Sequence, residues 1–251
     1  MANSHLIMGS GEHPIVALHG WFGSATGWGS LPDYIDGSRF TYAFMDCRGY
    51  GGNRYVAGSY TVAEVAGDVI ALADELGWSE FSVIGHSMSG KYVQRVLVDA
   101  PDRVRRLIGI SPVMAGAFPW DEQSWALFDG AADSRDNRYA IIDFTTGNRL
   151  TPTFVNTVVQ HSLDNSIRAA FAAYLHAWGK EDFADEVQGN AAPVKLIVGE
   201  HDPALGAGMM EQMIMPSYPD AELEILANAG HYSMFETPVA LATSIEEFLS
   251  R

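Results

Sequence analysis

Phe81-Ser82-Val83-Ile84-Gly85-His86-Ser87-Met88-Ser89-Gly90 is the stretch on which the reading of this 251-residue chain turns. A short apolar run ends in small residues with a serine at the apex. A serine at a sharp strand-to-helix turn takes a strained backbone that lifts its hydroxyl clear of the sheet. Residues two before and two after it must be small, or they strike the neighbouring strand and helix. Ser87 is therefore the candidate nucleophile. Ser89 is not, because its own flanks would be Ser87 and the bulky Lys91. A helix beginning at Met88 presents free backbone N–H groups to a developing oxyanion. Alone the pattern is weak, since serines between small residues are common in turns.

Three other stretches strengthen it. Ile15-Val16-Ala17-Leu18-His19-Gly20-Trp21 is a buried strand ending in a glycine-containing loop, and the Trp21 N–H is placed to be the second oxyanion donor. His19 reads as a loop histidine that ties the turn down through a hydrogen bond. Leu196-Ile197-Val198-Gly199-Glu200-His201-Asp202 delivers an acid at the C-terminal end of a strand, where open α/β sheets bind ligands. Leu226-Ala227-Asn228-Ala229-Gly230-His231 brings a histidine after another strand. The order serine, acid, histidine suits nucleophilic acyl chemistry on an α/β sheet.

Outward from these motifs, strands are expected over 15–18, 41–45, 81–84, 106–110, 195–198 and 222–226. Most are near-continuous apolar runs, as parallel strands covered on both faces require. Helices are expected over 61–76, with Thr61 and Glu64 as a capping box, over 88–99, and after Thr237. Alternating strands and helices imply an open, mostly parallel sheet with helices on both faces. From 113 to 192 only helical patterns occur. That is far longer than an ordinary crossover. Residues 1–112 and 193–251 thus read as one core domain, and 113–192 as a helical cap inserted between two strands. Met114, Phe118, Trp120 and Phe144 are its candidate substrate-binding residues.

Composition narrows the partners. The chain has 15 Lys plus Arg against 31 Asp plus Glu, formally −16, a field that repels nucleic acid and anionic membranes. No apolar run approaches the ~18 residues of a membrane span. Cys47 is the single cysteine, so no intrachain disulfide forms, and its neighbour Asp46 disfavours a thiolate. The eight histidines show no metal-ligand spacing. No signal peptide is apparent, and a cytoplasmic protein with a small-molecule substrate, no metal and no cofactor is expected.

His19-Gly20-Trp21, Asp46-Cys47-Arg48-Gly49-Tyr50-Gly51, Gly85-His86-Ser87-Met88, Gly199-Glu200-His201-Asp202 and Gly230-His231 lie in order along most of the chain. In them the chain resembles the α/β-hydrolase superfamily, in its branch of small esterases, lactonases, perhydrolases and carbon–carbon bond hydrolases. The resemblance implies a Ser87, Asp202, His231 triad, an oxyanion hole of the Trp21 and Met88 N–H groups, and an acyl-enzyme formed from an ester or lactone of a small, largely apolar substrate. Carbon–carbon bond hydrolysis, perhydrolysis and a slow-turnover ligand receptor are the alternatives. Serine at 87 argues against the dehalogenases and epoxide hydrolases of the same fold, which use aspartate. Three departures stand out: Ser89 replaces a glycine, Gly52-Asn53 stands where a serine is usual, and with so few residues before the first buried strand the opening hairpin should be truncated. The Ser89 side chain is expected to point away from the catalytic face and bond to nearby backbone.

Overall fold

The strands form where apolar residues can be covered on both faces. Ile15, Val16, Val83, Ile84, Ile108 and Ile197 have almost no exposed surface. The computed structural model describes residues 3–251. Its strands are β1 (His5–Gly9), β2 (His13–Leu18), β3 (Phe40–Met45), β4 (Phe81–His86), β5 (Val104–Ile110), β6 (Val194–Gly199) and β7 (Glu222–Leu226). They lie in one sheet in the order β1-β3-β2-β4-β5-β6-β7. All neighbours are parallel except β1 with β3. The fold is the expected mostly parallel α/β architecture, with β4 in the middle.

The sheet corrects the reading of the N-terminus in part. A five-residue strand, β1, is present, and it pairs antiparallel with β3 rather than with β2. Its half-exposed Leu6 and Ile7 show why it left no strong signal: an edge strand has no continuous buried run.

The helices are α1 (Val62–Glu75), α2 (Met88–Asp99), α3 (Glu122–Asp129), α4 (Arg135–Thr145), α5 (Pro152–Asn165), α6 (Arg168–Lys180), α7 (Ala184–Val187), α8 (Ala207–Met213), α9 (Ser233–Glu236) and α10 (Pro238–Leu249). The Thr61 hydroxyl caps α1 by accepting from the Glu64 N–H at 3.2 Å. The Glu64 carboxylate does not return to Thr61. It takes the N–H groups of Ser59 and Tyr60 and pairs with Arg48. So one half of the capping box forms, and the other is spent on fixing the preceding loop.

Helices α3 to α7 all lie between β5 and β6. On α6, Phe171, Tyr174, Leu175 and Trp178 are buried, as the apolar stripe requires. The insertion is fastened to the core by the Ile167 N–H on the Gly49 carbonyl, 3.0 Å, and the Trp21 indole N–H on the Phe171 carbonyl, 2.8 Å. No helix among the described residues is long and apolar enough to cross a membrane.

Candidate active site

Ser87 sits between the end of β4 and the start of α2 with φ 54° and ψ −118°. A non-glycine residue holds this conformation only where its surroundings over-determine it. Here they do. The Ser87 N–H donates to the Ile110 carbonyl at 2.9 Å, and its carbonyl accepts from Gly90 at 2.8 Å and Val113 at 2.9 Å. The turn is thus stitched to the end of β5. Two glycines make room for it. A Cβ on Gly85 would lie 2.4 Å from the Ser89 carbonyl, and one on Gly90 would lie 2.2 Å from the Pro112 Cβ. The close approach to the neighbouring strand end is therefore made by Gly90. Ser89 is fully buried, and its hydroxyl donates to the His19 carbonyl. The serine in the glycine position is accommodated by a bond to the next loop's backbone.

His231 meets the acid directly. Its Nδ1 lies 2.7 Å from the Asp202 Oδ2. A carboxylate only accepts, so Nδ1 carries the proton and Nε2 is left with its lone pair. The other Asp202 oxygen accepts from the N–H groups of Ala204 and Leu205, both at 3.0 Å. Burial alone would raise the Asp202 pKa. The His231 charge, its hydrogen bond and the two backbone donors outweigh burial and hold the carboxyl below its ordinary value. Glu200, the nearby alternative, is half-exposed and accepts from the Asn228 N–H instead.

The loop bearing His231 is clamped on both sides. Its own N–H donates to the Thr145 carbonyl at the end of α4, 3.2 Å away. The flanking N–H groups of Gly230 and Tyr232 donate to the two carboxylate oxygens of Glu236, at 2.9 and 3.2 Å. Glu236 pairs in turn with Arg149, from the insertion. Burial pushes the Glu236 pKa up, against the pull of these partners. Glu236 and Arg149 were not apparent from sequence. The one available signal was an acid five residues after the histidine, where it ends the short helix α9.

The other histidines of the site are structural. His19 Nε2 accepts from the Cys47 N–H, so its Nδ1 donates, to the Gly20 carbonyl at 2.8 Å. His86 Nε2 donates to the His231 carbonyl at 2.9 Å. Burial, then the neighbouring His231 charge, push the His86 pKa down to about 3, so it is neutral and no rival base. Burial, then Asp46, push the Cys47 thiol far up, which keeps it inert.

Two lobes meet at Ser87 and His231, sharing Trp21, Phe22 and Tyr232 as walls. One, about 40 Å³, is lined by Phe118, Trp120, Phe128 and Trp178 from the insertion. The other, about 230 Å³, runs past Gly27 to Thr26, Thr157 and His161. Of the four side chains expected to bind substrate, Phe118 and Trp120 line the smaller lobe. Met114 and Phe144 do not. Met114 is packed in the core and Phe144 is 44% exposed, and neither borders a lobe. Apolar character cannot separate wall, core and surface within a helical insertion. Trp21 is held by its indole bond to Phe171, by stacking on that ring at 4.0 Å, and by the Tyr50 hydroxyl donating to its carbonyl at 3.0 Å. Met88 is the first residue of α2 and is buried.

The α/β hydrolase fold family profile matches residues 13–238. The chain is 25% identical over 91% of its length to the dihydrolipoyllysine-residue acetyltransferase component of the acetoin cleaving system of Cupriavidus necator, and it spans 61% of that relative's length. It is also 25% identical over its whole length to 3-oxoadipate enol-lactonase 2 of Acinetobacter baylyi, covering 94% of that protein. Among solved structures, an esterase from Exiguobacterium antarcticum superposes with a TM-score of 0.87 at 18% identity, covering 98% of this chain and 95% of that one, a likeness of fold alone. The chain belongs to the α/β-hydrolase fold family and is one of its hydrolases.

Proposed function

We propose that the chain cleaves a carboxylic ester or lactone of a small, largely apolar substrate through an acyl-enzyme on Ser87. The observation that carries this is the 2.7 Å contact of Asp202 with His231 Nδ1, beside a serine held at φ 54° on the same cavity wall. His231 Nε2 takes the Ser87 proton as the hydroxyl oxygen attacks the carbonyl carbon. The Trp21 and Met88 N–H groups receive the oxyanion. The tetrahedral intermediate collapses, and His231 gives its proton to the leaving oxygen. Water, activated by the same imidazole, then releases the acid. Asp202 keeps the imidazole in the productive tautomer and stabilises its charged form. A donor aimed at the developing oxyanion is worth roughly 10²–10³ in rate.

The insertion is the cap of this site: four of its aromatic side chains form the smaller lobe. Both lobes lie below the ~300–1,000 Å³ usual for small-molecule sites, which favours a small substrate. A fluorophosphonate should label the wild type and leave Ser87→Ala unlabelled. Label surviving that substitution overturns the assignment. A panel of aryl esters, lactones and β-diketones separates the reactions. Turnover of the diketones alone would replace the ester reading by carbon–carbon hydrolysis. Stoichiometric acylation with no second turnover would make the chain a receptor.

A further inference from the structure

Resting on the reading that Ser87 opens an ester or lactone, we propose that the substrate carries no anionic group and has two unlike halves: a narrow apolar half in the aromatic lobe, and a half bearing a hydrogen-bond acceptor that meets Thr26 in the open lobe. The scissile carbonyl must reach Ser87, and Ser87 lies where the lobes join, so one half falls on each side.

The lining of the aromatic lobe is mostly apolar: beyond Ser87 and His231 its polar side-chain groups are the Thr145 and Tyr232 hydroxyls and the indole N–H groups of its tryptophans. Its rings pack closely, with Phe118 and Trp120 at 4.5 Å and Trp120 and Trp178 at 5.3 Å between centroids. The Thr145 hydroxyl already donates to the Ile142 carbonyl, and the Tyr232 hydroxyl belongs to the wall that the two lobes share.

The open lobe ends in a directed chain of hydrogen bonds. The Asn165 amide donates weakly to His161 Nδ1 at 3.5 Å, so the proton of this ring sits on Nε2. Burial lowers the His161 pKa, which keeps the ring neutral. Nε2 then donates to the buried Ser24 hydroxyl at 3.0 Å. That oxygen also accepts from the Thr26 N–H, so its own proton goes to the Thr26 hydroxyl, 3.0 Å away. The Thr26 proton is left over, on a wall of the lobe. The chain therefore presents one donor, which suits a carbonyl, ether or hydroxyl oxygen. His161 lies on the same face of α5 as Phe154 and Val158, the apolar stripe of that helix.

Anions are excluded by what surrounds the lobes. Among the described residues no Lys or Arg lines either one. The carboxylates behind the walls include Asp202, against His231, Glu236, which Arg149 neutralises, and Asp164 and Asp46, whose charges act on His161. An anionic group entering here loses water and gains no counter-ion. The formal charge of −16 adds repulsion at the approach.

The test uses esters with an aromatic half and a short aliphatic half ending in methyl ketone, ethyl or carboxylate, and the series with acyl and alcohol parts exchanged. A third set carries the carboxylate on the ring. Each compound is ranked by kcat/KM and by how well it protects Ser87 from a fluorophosphonate, so slow substrates are ranked too. In one of the exchanged series the ketone should exceed the ethyl compound by roughly 3- to 10-fold, one net hydrogen bond near solvent. The aliphatic carboxylate should fall ~10-fold below the ketone, and the ring carboxylate ~100-fold below the unsubstituted ring. Thr26→Val and His161→Phe should each narrow the ketone-to-ethyl ratio to within about twofold. Thr157→Lys, at the rim, should raise the aliphatic carboxylate about tenfold. Equal rates for ketone and ethyl compounds in both series, or carboxylates as good as the neutral compounds, overturn the inference. If Ser87 still labels, the hydrolase reading survives that result. If Ser87 does not label, that reading has failed first.

Discussion

Ser87 and His231 face the same cavity but are held in opposite ways. Ser87 is fixed by main-chain bonds to Ile110 at the end of β5, Gly90 in the first turn of α2 and Val113 just beyond β5, and no ionisable side chain takes part. His231 hangs in a loop beyond β7. Its place is set by Asp202, by the Glu236 carboxylate on both flanks, and by the Thr145 carbonyl of the insertion. The position of Ser87, the proposed nucleophile, belongs to the sheet. The position of His231, the proposed base, belongs to carboxylates and to the insertion. Changes to side chains and to pH should therefore act mainly on the base.

The sharpest test of that contrast is Asp202→Asn. The amide favours the wrong imidazole tautomer, so kcat should fall by roughly 10³–10⁴ while fluorescence and circular dichroism stay native. Glu200→Gln, on an exposed group that misses His231, should change kcat less than about threefold. If the Glu200 variant is the more damaged of the two, the acid has been misassigned.

Glu236→Gln should come next. The amide keeps one acceptor and turns N–H groups toward a backbone N–H, so the His231 loop shifts. A fall in kcat of ~10–100-fold with little change in KM is expected, because misplacement acts on the chemical step. Stability should move independently. The folded-state pKa of Glu236 is raised by burial, so the native protein binds this proton more tightly than the unfolded chain. Its ionisation then lowers stability as pH rises from the ordinary glutamate value through the raised one. The stability of Glu236→Gln relative to wild type, from urea melts at several pH values, should increase across that window. A constant difference would mean that the carboxylate is not strained by burial.

Much of this was legible in sequence because it depends on local order. Ser87, Asp202 and His231 each follow a strand, and strand ends in a parallel sheet converge. Helix α2 has the expected bounds because Ser87 must precede its first turn. What was not legible depends on packing at long range. Met114 and Phe144 look like Phe118 and Trp120 in composition, and only the fold separates core and surface from cavity wall. Glu236 and His161 likewise gain their roles from residues far away along the chain.

The smallest effect belongs to the nucleophile's side. Ser89→Gly removes the bond to the His19 carbonyl but leaves every main-chain bond of Ser87 in place. kcat/KM should stay within a few-fold, under about 1.4 kcal/mol of barrier. Stability should drop by up to ~1 kcal/mol, from the lost hydrogen bond and the freer glycine backbone. A hundredfold loss of activity in a folded variant would show that the oxyanion loop, unlike Ser87, depends on side chains.

The ties of the insertion bear on how such enzymes are re-engineered. Its Phe171 carbonyl and ring secure Trp21, and its Thr145 carbonyl secures the backbone of His231. A chimera that imports the corresponding segment of a homologue to gain its selectivity also discards two fastenings of the machinery. The segment is not an interchangeable cassette. A graft that places its backbone carbonyls where those of Phe171 and Thr145 lie keeps both fastenings; one that shifts them must rebuild both.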